Sequence, residues 1–256
     1  MNIIDIKDLN FSYENKILFS NLNLKIKENT WNSLIGDNGS GKTTLLKIIL
    51  GLIDANNIKI DNINLNKENL FEIRKRIGCV FEVPDNNLIC ETPLEELSFP
   101  LNNLNINDTE INIRINNITK LFNFNKLDKP INELSLDEKQ VVAIMSALII
   151  NPKILILDEA FTFLSKNITN KILNILKKLN ITIISVTHDM EELLYCDNII
   201  ILKENKAIYE TKEEVFEKDL LKDYPFIVEL SHKLKYYELV DKVSYSYKEL
   251  VNDVWK

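Results

Sequence analysis

Residues Gly36 to Thr44 read GDNGSGKTT, which satisfies G-x-x-x-x-G-K-[ST] between the apolar stretch SLIG and the apolar run TTLLKIIL. A strand, a glycine turn and a helix in that order aim backbone N–H groups and a helix N-terminus at phosphate oxygens. The candidate phosphate-binding residues are Gly36, Asp37, Asn38, Gly39, Ser40, Gly41, Lys42, Thr43 and Thr44. Lys42 would reach the β- and γ-phosphates of a nucleotide, and the Thr43 hydroxyl would ligate Mg²⁺. The chain has five glycines, and three of them stand in this loop. Glycine is thus scarce where only flexibility is wanted and present where backbone must approach a ligand.

Asp158 and Glu159 end the apolar stretch ILIL, as a buried strand delivering two carboxylates to its tip. Such a pair also suits a solvated turn. Beside a phosphate loop, Asp158 is the expected Mg²⁺-side carboxylate and Glu159 a base for an attacking water. His188 follows ITIISVT. A lone His after a strand can be structural, whereas a neighbouring sheet strand would set it beside the γ-phosphate. The candidate catalytic residues are Lys42, Glu159 and His188.

These groups need elements to hold them. Short β-type stretches (IIDIKDLNFSY, ILFSNLNLKI, WNSLIG) come first, followed by TTLLKIILGL as a helix. IKI and IGCVF read as strands, with NKENLFEIRKR as a helix between them. From about 83 to 150 the pattern is helical and polar, and strand signals return at KILILDEA, ITIISVTH, NIIILKE and KAIYE. The last forty or so residues read as amphipathic helices, an appendage. Interleaved strands and helices predict an α/β fold with a mainly parallel sheet covered on both faces.

Composition sets outer limits. A chain of 256 residues, 45% hydrophobic and 27% charged, has the make-up of an ordinary globular protein. A net charge of −7 argues against a nucleic-acid partner. The one dense basic cluster, Arg74-Lys75-Arg76, is read as a solvated helix face. Three cysteines without a CxxC pair favour packing roles in a reducing compartment. No signal peptide and no run of the ~18 apolar residues that span a bilayer is evident, so any membrane role is expected to come through a partner.

Over residues 2 to 210, the order of phosphate loop, helical insert, LS helix start, Asp-Glu strand and His resembles the nucleotide-binding domain of ABC transporters. A nucleoside or shikimate-type kinase would share the loop but needs a lid and lacks this placement of Glu and His. The resemblance implies an ABC-type P-loop NTPase core in residues 1–212, with a helical subdomain at about 83–150, that uses ATP and Mg²⁺. It makes Tyr13 the aromatic that stacks on adenine, although an edge-strand role also suits Tyr13. Two further stretches narrow the group. IGCVFEVPDNNLICETPLEELSFPLNNLNI and the tail from EEVFEKDLL onward resemble energy-coupling factor (ECF) transporter ATPases. That implies a C-terminal helical extension, 213–256, in contact with a dimer partner. It also implies a second ATPase subunit, an integral membrane scaffold, a substrate-capturing subunit, and a place at the cytoplasmic face of the membrane. The imported substrate would be a vitamin or other micronutrient.

Three stretches depart from that family's pattern. Glu82 stands where the family writes Gln; as a carboxylate it can ligate Mg²⁺ beside Thr43 and Asp158 but cannot donate to the attacking water. Leu134-Ser135-Leu136-Asp137-Glu138 replaces L-S-G-G-Q, and Ala160 to Ser165 replaces P-T-x-x-L-D. Ser135 and Glu138 keep S-x-x-E, a capping box that starts the next helix. Leu136 adds bulk, and Asp137 and Glu138 put carboxylates on a helix pole that would otherwise attract phosphate. Ser165 should weaken signalling across a dimer. The sequence therefore predicts an ATPase with an intact phosphate loop and a spoiled signature, active beside a partner. A nucleotide-holding subunit without turnover and a soluble ABC protein of translation or repair are the alternatives.

Overall fold

The computed structural model describes residues 1–13, 16–218 and 220–255; the expected C-terminal extension therefore includes two residues, Asp219 and Lys256, outside the described ones. In chain order the strands are β1 (Asn2–Tyr13), β2 (Lys16–Lys27), β3 (Trp31–Gly36), β4 (Ile58–Ile60), β5 (Ile63–Asn64), β6 (Ile77–Phe81), β7 (Ile154–Asp158), β8 (Thr182–Val186), β9 (Asn198–Lys203) and β10 (Lys206–Thr211). The α-helices are α1 (Lys42–Ile49), α2 (Leu70–Arg74), α3 (Pro93–Asn103), α4 (Asp108–Phe122), α5 (Leu136–Ile149), α6 (Lys166–Leu176), α7 (Lys212–Glu217), α8 (Phe226–Tyr236) and α9 (Tyr247–Val254).

Two sheets form where the sequence reading placed one. Strands β2-β1-β4-β5 make an antiparallel sheet, and β10-β9-β3-β8-β7-β6 make a second sheet that is parallel except at β10. The cause is side-chain periodicity. In β2, Leu22, Leu24 and Ile26 are buried between exposed neighbours, as in a strand with one wet face, whereas every residue of β7 and β8 is buried. The run TTLLKIILGL is helical only from Lys42 to Ile49; Gly51, at φ +62°, turns the chain away.

The parallel strands end in one row. Phe81 pairs with Asp158, Asp158 with Val186, and Val186 with Leu34. Glu82, Glu159, Thr187 and Gly36 therefore leave the sheet along the same edge, the usual place for ligands in an open α/β sheet. Between β6 and β7 the chain makes α3, α4 and α5. Thr92 and Ser135 start α3 and α5 with capping boxes, completed by Glu95 and Glu138. The tail is integrated and not merely appended: Val215, Phe216, Ile227, Val228, Val243 and Leu250 are buried in the same cluster as Leu157 and Phe161. The basic cluster is tied into local contacts, with Lys75 bonded to Glu72 at 2.9 Å and Arg76 to Asp61 at 2.9 Å. Among the described residues no helix is long and apolar enough to cross a membrane.

Helix α5 lies hard against β6. A Cβ on Gly78 would stand 2.3 Å from the carbonyl oxygen of Ala147, a contact that only backbone displacement can relieve. Gly78→Ala should therefore destabilise the chain by about 1–3 kcal/mol. A thermal melt should show this as a Tm lowered by roughly 2–4 °C per kcal/mol.

Candidate active site

The phosphate loop closes on itself through Lys42. Its ammonium donates to the carbonyl of Gly36 at 2.8 Å and lies 3.5 Å from that of Asp37, so a buried cation is held at the loop's centre. The glycines are required by geometry. Gly41 caps α1 at φ +103°, and a Cβ there would stand 2.8 Å from the Phe19 ring. A Cβ at Gly36 would meet Leu202 O and Ser40 Oγ at 2.7 Å each. Asp37, Asn38 and Gly39 are exposed, Ser40 and Thr44 half-buried. The β1–β2 hairpin reaches the loop as well: Tyr13 pairs with Lys16, whose ammonium donates to Gly39 O at 3.3 Å. Tyr13 is about half exposed (49%), with its ring perpendicular to that of Phe11.

Asp158 is the electrostatic pivot of this edge. Burial pushes its carboxyl above the usual range; a hydrogen bond from Thr43 opposes that, and the charges of Glu159 and Glu82 push it further up. Its Oδ1 is buried without a hydrogen-bond partner. A buried, under-satisfied carboxylate beside a Thr hydroxyl fits Mg²⁺, which takes one or two carboxylates together with phosphate oxygens. Among the described residues no three His, Cys, Asp or Glu side chains form a cage of their own. Glu82 is exposed and reaches Asp158 through its charge.

Glu159 takes φ +53°, rare for a glutamate, and its N–H donates to Val186 O at 3.1 Å on the neighbouring strand. This turn aims its side chain at the end of β8, where Glu159 Oε1 lies 3.0 Å from His188 Nε2. The pair thus forms between adjacent strand ends.

The signature stretch folds as the capping box implies. Ser135 Oγ accepts from Glu138 N at 3.2 Å, and Glu138 Oε2 accepts from Ser135 N at 3.1 Å. Both carboxylates that the sequence puts on this helix pole have partners within the chain. Glu138 is engaged by Lys126, which holds its carboxyl below the usual range. Asp137 Oδ1 accepts from Ser165 N at 2.8 Å. Leu136 remains half exposed (50%) at the helix tip.

Sequence reading missed several residues that shape the site. Gln140, fully buried in α5, donates to Ala160 O at 2.8 Å and Phe81 O at 3.3 Å. Asn87 brackets Phe81 by accepting from its N–H at 2.8 Å and donating to its C=O at 2.9 Å, which fixes the segment that carries Glu82. Lys222, in the link before α8, pairs with Asp37 at 3.1 Å. The polar Gln140 inside the apolar register of α5 was the one legible signal among these.

A family model described as ABC transporter matches residues 19–162. The energy-coupling factor transporter ATP-binding protein EcfA1 of Oenococcus oeni is 36% identical, across 100% of this chain and 98% of that protein. EcfA of the Onion yellows phytoplasma is 38% identical over 93% of this chain and 90% of its own length. Among solved structures, cbiO1 from Clostridium perfringens, described as part of the ABC transporter complex cbiONQ, superposes with a TM-score of 0.78 at 31% identity. It covers 91% of this chain and 94% of that one. A dimeric ATP-binding cassette in a post-hydrolysis state, bound to ADP and Pi, gives a TM-score of 0.72 at 30% identity over 82% and 98%.

Two outcomes follow from the geometry. Mg-ATP at a hundred times its Kd should stabilise the chain by ~2.7 kcal/mol, a rise in Tm of roughly 5–10 °C that Lys42→Ala abolishes. Asp158→Asn should remove the Mg²⁺-dependent part of that shift yet raise Tm at pH 7 without Mg²⁺. The sign follows from linkage: the folded-state pKa of Asp158 lies above its unfolded value. Stability is therefore lost as pH rises from the ordinary carboxylate range through the raised pKa, and ionised Asp158 is a net cost at neutral pH.

Proposed function

This chain belongs to the ABC transporter ATP-binding proteins, among those of energy-coupling factor transporters, and on that premise we propose that it energises import of a vitamin or other micronutrient as one ATPase of a heterodimer. The partners in this reading are a second ABC ATPase, an integral membrane scaffold and a substrate-capturing subunit, and this chain sits peripherally at the cytoplasmic face of the membrane. The C-terminal helices supply part of the dimer contact; Tyr236, Tyr237, Leu239 and Trp255 give that region an exposed apolar surface.

The observation that carries the catalytic reading is the Glu159–His188 contact of 3.0 Å, formed at the same sheet edge as Lys42, Thr43 and Asp158. In it, the Gly36–Thr44 backbone cradles the phosphates, Lys42 leaves its carbonyl partners for the β/γ-phosphate oxygens, and Tyr13 packs against adenine. Thr43 and Asp158 would hold Mg²⁺, with Glu82 as a further carboxylate able to ligate it, and the ion would supply charge neutralisation for the phosphates. Glu159 accepts a proton from the attacking water, and His188 orients Glu159 and faces the γ-phosphate.

The two sites of the heterodimer are unequal in this reading. One combines this chain's phosphate loop with a glycine-bearing signature of the partner and turns over. The other combines the partner's phosphate loop with Leu136 and Asp137 of this chain, holds ATP and turns over slowly.

In the purified complex, Glu159→Gln should lower kcat by about a hundredfold or more, while the equivalent change in the partner leaves most turnover in place. The reverse pattern would move the working site to the partner's phosphate loop. Glu82→Gln should leave kcat unchanged or raised, since it removes a charge that opposes ionised Asp158. A tenfold loss, about 1.4 kcal/mol in barrier, would make Glu82 itself catalytic.

A further inference from the structure

One face of α5 grips both ends of the loop that follows Glu159. At the loop's start Gln140 Nε2 donates to Ala160 O at 2.8 Å, and at its end Ser165 N donates to Asp137 Oδ1 at 2.8 Å. Residues 137 and 140 are neighbours on the helix surface because they are three apart. Between the two grips the loop is a tight turn, with Thr162 N on Glu159 O at 3.2 Å and Leu164 N on Phe161 O at 3.0 Å. Ser165 is the N-cap of α6, and its own side chain makes no cap bond. The half-buried Asp137 supplies the acceptor from another helix, so one carboxylate serves the N-terminal poles of both α5 and α6.

We propose that Asp137 is a positioning residue that, with Gln140, clasps the loop from Ala160 to Ser165 onto α5, so that Glu159 and the α5 tip move as one body. The serine at 165 is its complement. A second carboxylate at that position would crowd the one N–H that Asp137 already uses, in a place where like charges repel. The two departures, Asp137 and Ser165, therefore form one contact. Gln140 extends the same clasp to Phe81 O and hence to the segment bearing Glu82. The clasp is a property of the single chain and does not depend on which site of a dimer turns over.

Residue-resolved amide exchange on the full chain reads the clasp directly. Asp137→Ala should speed exchange of the Ser165 amide at least about tenfold, because its charged acceptor is lost, whereas Asp137→Asn keeps an acceptor oxygen and should hold the rate within about threefold. Ser165→Asp should loosen the loop in the wild-type background but not beside Asp137→Gly, where the new side chain can cap α6 itself. That makes the double-mutant cycle non-additive. In the assembled ATPase, Asp137→Ala should lower kcat with KM for ATP unchanged, and Asp137→Asn should restore it. An unchanged Ser165 exchange rate in Asp137→Ala overturns the clasp. Faster exchange with unaltered kcat overturns the positioning role. Glu159→Gln is scored separately, so an error in assigning the working site leaves the exchange result standing.

Discussion

A carboxylate required to be charged where burial disfavours charge is the constraint around which the site is arranged. Asp158 closes a strand with every side chain buried, and one of its oxygens has no partner. Thr43 relieves part of that cost, and Glu82 and Glu159 add to it. In the proposed function a cation with phosphate behind it would complete the set, and metal affinity would then be coupled to nucleotide affinity through one side chain. The same coupling explains why the loop keeps Lys42 on its own carbonyls. A buried ammonium needs partners until phosphate oxygens replace them.

Helix α5 converts this local arrangement into a larger unit. Its N-terminal turn carries Leu136 and Asp137, its next turn carries Gln140, and further along it packs backbone to backbone against β6 at Gly78. Gln140 touches the ends of β6 and the loop after β7 together. Lys139 adds a 2.6 Å ion pair to Asp85 in the segment after Glu82. A displacement of α5 would therefore be felt at Glu82 and at Glu159 in the same step, as expected for coupling through a packed element with specific bonds.

How much of this was legible in the sequence depended on whether the signal was local. The phosphate loop, the Asp158-Glu159 tip, the position of His188 and the Ser135–Glu138 box are each set by a few consecutive residues, and the structure places each on the element its pattern implied. The antiparallel sheet was missed, although the alternation NLNLKIK in β2 announces a half-buried strand; the interleaved helices drew the reading toward one parallel sheet. The integration of the tail was not readable at all, since amphipathic helices do not state which surface they cover. Nor was the bond from Asp137 to Ser165, which joins residues 28 apart in sequence.

That long-range bond changes the meaning of the altered signature. Read locally, Asp137 and Glu138 place negative charge on a helix pole that would otherwise attract phosphate. In the fold, both carboxylates have partners of their own, Lys126 for Glu138 and the Ser165 amide for Asp137. Their charge is thus largely committed within the chain, and a phosphate approaching the α5 tip meets a pole already satisfied. Leu136, half exposed at that tip, offers it no donor beyond the backbone. The face is therefore made indifferent to phosphate more than repellent to it. An indifferent face still permits a partner's ATP to be held by the partner's own phosphate loop. It withholds the electrostatic stabilisation that a developing transition state needs. In the proposed heterodimer, binding without fast turnover at one site, beside the candidate catalytic groups Lys42, Glu159 and His188 at the other, is the asymmetry that these side chains favour.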